Sequence, residues 1–161
     1  MVAIARPDLV KTLVAIGANY HYDCGLNHQL FDGEVEEEAK DRFAARTGQP
    51  RELLVEITNK AHKVWASEPR MTTSQLKKIK CPTLVMAGDD EPFSTEHTVS
   101  LYEAIPNAQL AIVPGTSHAV LKEKPRVVQH ILEDFYRNPA FPITLSPNRR
   151  LKETLRIRGQ A

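Results

Sequence analysis

His118 and the acidic run Asp89-Asp90-Glu91 are the residues of this chain best suited, by type and surroundings, to proton-transfer chemistry. Glu91 lies in an acidic run, Gly88-Asp89-Asp90-Glu91-Pro92, at the end of one apolar segment. His118 closes a small-residue turn, Pro114-Gly115-Thr116-Ser117-His118, at the end of the next. An imidazole takes up and returns a proton near neutral pH, and a carboxylate behind it fixes its tautomer and steadies the imidazolium. Asp89 and Asp90 compete with Glu91 for the carboxylate role. The pair also needs a nucleophile. The serines are Ser67, Ser74, Ser94, Ser100, Ser117 and Ser146, and none lies in Gly-x-Ser-x-Gly, the strained turn that presents a reactive hydroxyl. Ser117 adjoins His118, but neighbours in a turn usually point apart, so local hydrogen bonding is expected of its hydroxyl. His28, His62, His97 and His130 show no HxxxH or HExxH spacing. Cys24 and Cys81 lie far apart without a second pair, and there is no Gly-rich phosphate loop. Neither a metal nor a cofactor is predicted.

The elements that must position these residues are legible as patterns. Thr83-Leu84-Val85-Met86-Ala87, bounded by Pro82 and Gly88, has the profile of a buried strand, as does Gln109-Leu110-Ala111-Ile112-Val113. Between them Ser94 or Thr95 can cap a helix with Glu96 in its first turn and Val99, Leu101, Tyr102 and Ile105 on its apolar face; Pro106-Asn107 stops it. A strand, a helix and a strand make a right-handed parallel unit, which brings the acidic run and the histidine turn to one sheet edge. Leu13 to Ile16, ended by Gly17, is a third buried-strand candidate. Asn19, Tyr20 and His21 follow it at the same rim, either lining a pocket or forming a polar loop. Further on, Val35, Ala39 and Phe43 recur at helical spacing until Gly48-Gln49-Pro50 breaks the pattern. Leu53, Leu54, Ile57, Ala61, Val64 and Trp65 form an i, i+4 face of a second helix ended by Pro69, and Thr72 to Lys78 reads as a short third one. Pro125 opens a last helix with Val127, Val128, Ile131, Leu132 and Phe135 on one side.

The segment CPTLVMAGDDE…HTVSLYEAIPNAQLAIVPGTSHAVLKEKP closely resembles the last two strands of the α/β-hydrolase fold, and ARPDLVKTLVAIGAN resembles the phrase that leads into that fold's sixth strand. The resemblance implies a partial α/β-hydrolase fold of three parallel strands with flanking helices and a helical cap insertion. Residues 1–22 and 76–137 would form the core, 23–75 the cap, and 138–161 a basic, solvated tail. Carried over residue by residue, the family's histidine falls on His118 and its acid on Glu91, where aspartate is usual; Asp90 is the alternative. Caps cover the active site and select substrates, so Trp65 is a candidate ligand contact as well as a candidate for the cap core. The implied chemistry is ester or similar acyl hydrolysis of a small molecule, with the nucleophile and oxyanion hole expected upstream of Met1. Dehalogenase and epoxide-hydrolase chemistry share the same acid–histidine scaffold. The other reading is a non-catalytic fragment or binding module. In either case the strand around Leu13 would present an unpaired edge, a route to self-association.

Composition sets the outer bounds. The 161 residues, 42% hydrophobic and 25% charged, suit one soluble globular domain. A net charge of +1 argues against nucleic acid or an anionic membrane as partner, and no apolar run approaches the roughly 20 residues that span a bilayer. The N-terminus is too short for a signal sequence with its flanks, and a reduced cytoplasm is the expected compartment. Asp32 to Asp41 holds six acids against one lysine. The tail sets Arg137, Arg149, Arg150, Lys152, Arg156 and Arg158 against Glu153, and is expected to stay in solvent.

Overall fold

A computed structural model describes residues 2–26, 34–139, 144–157 and 159. His28, the start of the acidic run at Asp32, and Arg158 lie outside them. A short helix α1 (Val2–Ala5) and a 3₁₀ turn (Pro7–Leu9) precede β1 (Leu13–Ile16). Helices α2 (Glu37–Thr47), α3 (Leu53–Trp65) and α4 (Thr73–Leu76) lead to β2 (Thr83–Asp90). Then come α5 (Thr95–Ala104), β3 (Ala108–Ser117), α6 (Val120–Glu123), α7 (Pro125–Arg137) and α8 (Leu151–Ile157).

The strands form one parallel sheet in the order β1-β2-β3, with Leu13 opposite Thr83 and Thr83 opposite Ala108. The alternation along β2 divides the core. Val85 points to one face, among Leu76, Ile79, Leu101 and Ile105; Leu84 and Met86 point to the other, among Val113, Val120, Val128 and Phe135. Thr83 is tolerated in the interior because its hydroxyl donates to the Cys81 carbonyl at 3.1 Å. Both main strands run further than their apolar cores: β2 carries on to Asp90, and β3 carries on through Pro114-Gly115-Thr116 to Ser117. The acidic run and the histidine turn are thus largely extended chain, paired to each other as far as Asp90 opposite Ser117.

Helix termini follow the residues that license them. Ser94 accepts from the His97 N–H at the start of α5, Thr72 and Gln75 make a capping box on α4, and Pro125 occupies the first turn of α7. Two side-chain expectations need correction. Val127 is 44% exposed rather than part of the apolar face of α7, because Val128, one position on, faces the sheet with Phe135. The basic segment is not simply solvated. The Arg149 guanidinium donates to the carbonyls of Tyr102 (2.9 Å) and Ile105 (2.7 Å) and lies 4.0 Å over the Tyr102 ring, while Arg150 donates to Ala108 O at 2.8 Å. The last turn of a helix leaves carbonyls without backbone donors, and its negative end attracts a cation, so the C-terminus of α5 captures Arg149, while Arg150 is held at the start of β3.

Helices α2 and α3 bury no residue completely. Charge pairs brace α2: Arg51, just ahead of α3, bonds Glu37 and lies 3.1 Å from Asp41, and Lys40 lies 2.5 Å from Glu37 within the helix. The apolar face expected on α3 exists, yet Ile57, Val64 and Trp65 stay exposed. Among the described residues no helix is long and apolar enough to cross a membrane.

Candidate active site

The site is built where the three strands end. Gly88 allows β2 and β3 to approach there: a Cβ on it would lie 2.2 Å from the Thr116 carbonyl oxygen and 2.6 Å from that of Ser117. Asp89 locks the approach from the side, accepting from Thr116 N–H at 3.0 Å. Backbone donors at Gly115 and Thr116 hold its carboxyl below the usual range. The pairing is irregular between Gly88 and Asp90, and the chain then turns the next residue inward. That residue is Glu91, whose side chain is 3% exposed. Its Oε1 accepts from Gly88 N–H at 3.1 Å and its Oε2 lies 2.6 Å from His118 Nδ1. Asp90 is exposed. Of the three acids, the geometry joins Glu91 to the histidine, and Asp89 serves the backbone.

His118 itself is 60% exposed, with its bonded edge against buried Glu91. With Nδ1–H donating to the carboxylate, the lone pair sits on Nε2, the tautomer a general base requires. The turn before it is braced by Glu123, which accepts from Ser117 N–H at 2.7 Å and from the Ser117 hydroxyl at 2.8 Å. Ser117 is therefore engaged locally, as turn neighbours usually are.

A cavity of about 250 Å³ opens beside the histidine, lined by Gly17, Asn19, Leu26, Trp65, Pro92, Phe93 and His118. A wider groove of about 630 Å³ runs along α7 past Leu121, Leu132 and Tyr136, but it contains no acid–base pair. Of the four residues expected to touch a ligand, Asn19 and Trp65 line the cavity beside His118. Tyr20 and His21 are placed elsewhere. Tyr20 stacks on His97 (centroids 4.3 Å apart, planes at 12°), its N–H donates to His97 Nε2 at 3.2 Å and its hydroxyl meets Ser100 Oγ at 2.6 Å. His21 Nδ1 accepts from Asp23 N–H at 3.1 Å. Both are drawn aside by polar partners on α5 or in their own loop.

Phe93 was not picked out from the sequence, and His97 was weighed only as a metal ligand. Phe93 is buried and sets its ring edge-on to both His118 (6.2 Å) and His97 (5.9 Å). The available signal was its place just before the Ser94 cap, which turns an apolar residue toward the core at a helix entry. His97 stands at the third position of that helix and is 7% exposed. Burial, chiefly, and the neighbouring His21 push its pKa below the ordinary histidine value of 6.5, opposed by Asp23. The sign follows from proton counts: the unfolded chain binds the proton more readily, so this stabilisation is complete above the unfolded value and is lost as pH falls below it. Thermal melts should therefore show stability dropping as pH is lowered from 7 through 6, with a smaller drop in His97→Gln. Equal pH slopes in the two proteins would assign the loss to other groups.

Comparison with known proteins agrees with this architecture. No family model matches the chain. It is 24% identical over 110 residues to a Bacillus subtilis (strain 168) protein provisionally named 2-succinyl-6-hydroxy-2,4-cyclohexadiene-1-carboxylate synthase, a match spanning 68% of this chain and 40% of that protein. Among solved structures, NosK from Streptomyces actuosus superposes with a TM-score of 0.65 at 22% identity, covering 86% of this chain and 63% of that one. The CarC serine hydrolase of carbazole degradation gives 0.60 at 19% identity, covering 84% and 57%. The chain thus adopts a partial α/β-hydrolase fold, with three parallel strands and flanking helices. It spans less than two thirds of the length of each of these relatives.

Proposed function

We propose that this chain carries the acid–base part of a hydrolase site, with His118 as general base and Glu91 as its orienting carboxylate, acting in the hydrolysis of small esters or comparable acyl compounds. The observation that carries the reading is the 2.6 Å contact between His118 Nδ1 and a carboxylate buried almost completely at a strand end. A buried carboxylate with a backbone donor on one oxygen and an imidazole on the other is a costly arrangement for mere stability, and a largely exposed ring lining a cavity gives it a use. The walls contributed by Leu26, Trp65, Pro92 and Phe93 suit a small apolar acyl or alkyl group, with Asn19 as the polar contact. Helices α2 and α3 act as the cap, bringing Trp65 to the cavity. Hydrolases among the structural relatives support the reaction class.

A second reading, a binding module without turnover, is favoured by one specific observation: no Gly-x-Ser-x-Gly occurs in the 161 residues. The coding sequence upstream of Met1 separates the two. An in-frame Gly-x-Ser-x-Gly there, followed by ester hydrolysis in the longer product that is lost in His118→Ala, supports the enzyme; an early stop codon supports the binding module.

The edge of the sheet bears on how the chain behaves alone. Strand β1 is half-buried, pairs with β2 on one side, and holds neither lysine nor proline between Leu13 and Ile16. Unpaired N–H and C=O groups on an apolar edge invite another chain. Light scattering should show concentration-dependent association, with binding of the dye ANS at the exposed apolar faces. A monodisperse, ANS-silent monomer with a cooperative melt would show that the edge is already protected.

A further inference from the structure

We propose that Gly17 is a positioning residue for the His118–Glu91 pair, a seat that accepts the imidazole only because no side chain stands on it. The proposal rests on the reading of that pair given above. Gly17 follows directly on β1, and its N–H donates to Met86 O at 2.9 Å, continuing the ladder by one residue. Its Cα is thereby held beside β2 and has little freedom to withdraw. A Cβ at this position would lie 2.8 Å from His118 Cε1, 2.9 Å from His118 Nδ1 and 3.4 Å from Glu91 Oε1. Two of these distances are shorter than non-bonded carbon and nitrogen atoms tolerate, and they fall on the ring edge that bonds the carboxylate. The ends of three strands therefore meet in one contact: Gly17 after β1, Glu91 after β2 and His118 after β3.

The direction of yielding is set by burial. Glu91 is enclosed and tied to Gly88 N–H, whereas most of the His118 side chain faces solvent. A methyl group on Gly17 would push the ring outward and open the 2.6 Å bond, leaving the sheet in place. Once the Nδ1–H loses its carboxylate partner, the imidazole exchanges between its two tautomers, and only one of them leaves Nε2 free to accept a proton.

A backbone requirement overlaps with this one, because Gly17 has φ +52°, where any L side chain is strained. Gly48, at the C-terminus of α2, separates the two effects. It has φ +69°, and a Cβ there would meet nothing within 4 Å. The test is therefore Gly17→Ala beside Gly48→Ala in the full chain, with the protonation of the His118 ring nitrogens read by nitrogen-15 NMR. A single Nδ1–H tautomer is expected in the unsubstituted chain and in Gly48→Ala, and a mixture in Gly17→Ala. Thermal melts supply a readout that survives poor folding of the single variant. The melting-temperature loss of Gly17→Ala should exceed that of Gly48→Ala when His118 is present and fall to match it in a His118→Ala background. If the unsubstituted chain already shows mixed tautomers, the reading of the pair itself fails. If the pair is intact there and unchanged in Gly17→Ala, or if the melting loss is indifferent to His118→Ala, the role of Gly17 is overturned.

Discussion

Assayed alone, the 161-residue chain should hydrolyse p-nitrophenyl acetate no faster than an equal concentration of free imidazole, and should take up no fluorophosphonate label. A histidine–carboxylate pair activates a nucleophile and does not replace one; removing the serine of a complete triad costs on the order of a million-fold in kcat. The hydroxyl nearest in sequence, on Ser117, donates to Glu123 at 2.8 Å and accepts from Ala119 N–H, so it does not present itself to His118. The thiol of Cys24 is no better placed: it is 2% exposed, and burial raises its pKa, which keeps it protonated. Stoichiometric labelling, together with turnover abolished in His118→Ala, would sink this expectation and reveal a nucleophile within the chain.

In a product that does carry a nucleophile, Glu91→Gln should lower kcat by on the order of a thousand- to ten-thousandfold with little change in KM. The size of the effect follows from the hydrogen bonds already in place. Gly88 N–H demands an acceptor, so the new carboxamide must turn its oxygen that way and its NH₂ toward His118. Nδ1 must then accept, which moves the ring proton to Nε2 and leaves the base unable to take another. Asp90→Asn removes a charge from an exposed side chain and should change kcat by no more than about twofold. Side-by-side kinetics of the two variants check the assignment. The reverse ranking would transfer the role to Asp90.

The two chemistries differ in how they were encoded. The acidic run and His118 were legible because each stands a few residues beyond an apolar β-branched run, and local patterns of that kind persist whatever packs around them. The helices over 37–47, 53–65 and 125–137 were legible for the same reason: helix-breaking glycine, prolines and 3.6-residue periodicity act within a few residues of one another. A choice among Asp89, Asp90 and Glu91 was beyond that range, and only the family resemblance favoured Glu91. The choice depends on an irregularity between Gly88 and Asp90 that arises only when β3 crosses within 2.2 Å of where a glycine Cβ would stand. The roles of Gly17, Phe93 and His97 were silent for a similar reason, since their meaning lies in neighbours 25 to 101 positions away. Arg149 shows the converse: its composition signalled a solvated tail, and the free carbonyls at the end of α5 decided otherwise. The sequence by itself determined that an acid and a histidine would arrive at one sheet edge on parallel strands. Which acid, which ring nitrogen and which glycine beneath them were decided by tertiary structure, because contacts between strand ends depend on separations of a few tenths of an ångström that no local periodicity encodes.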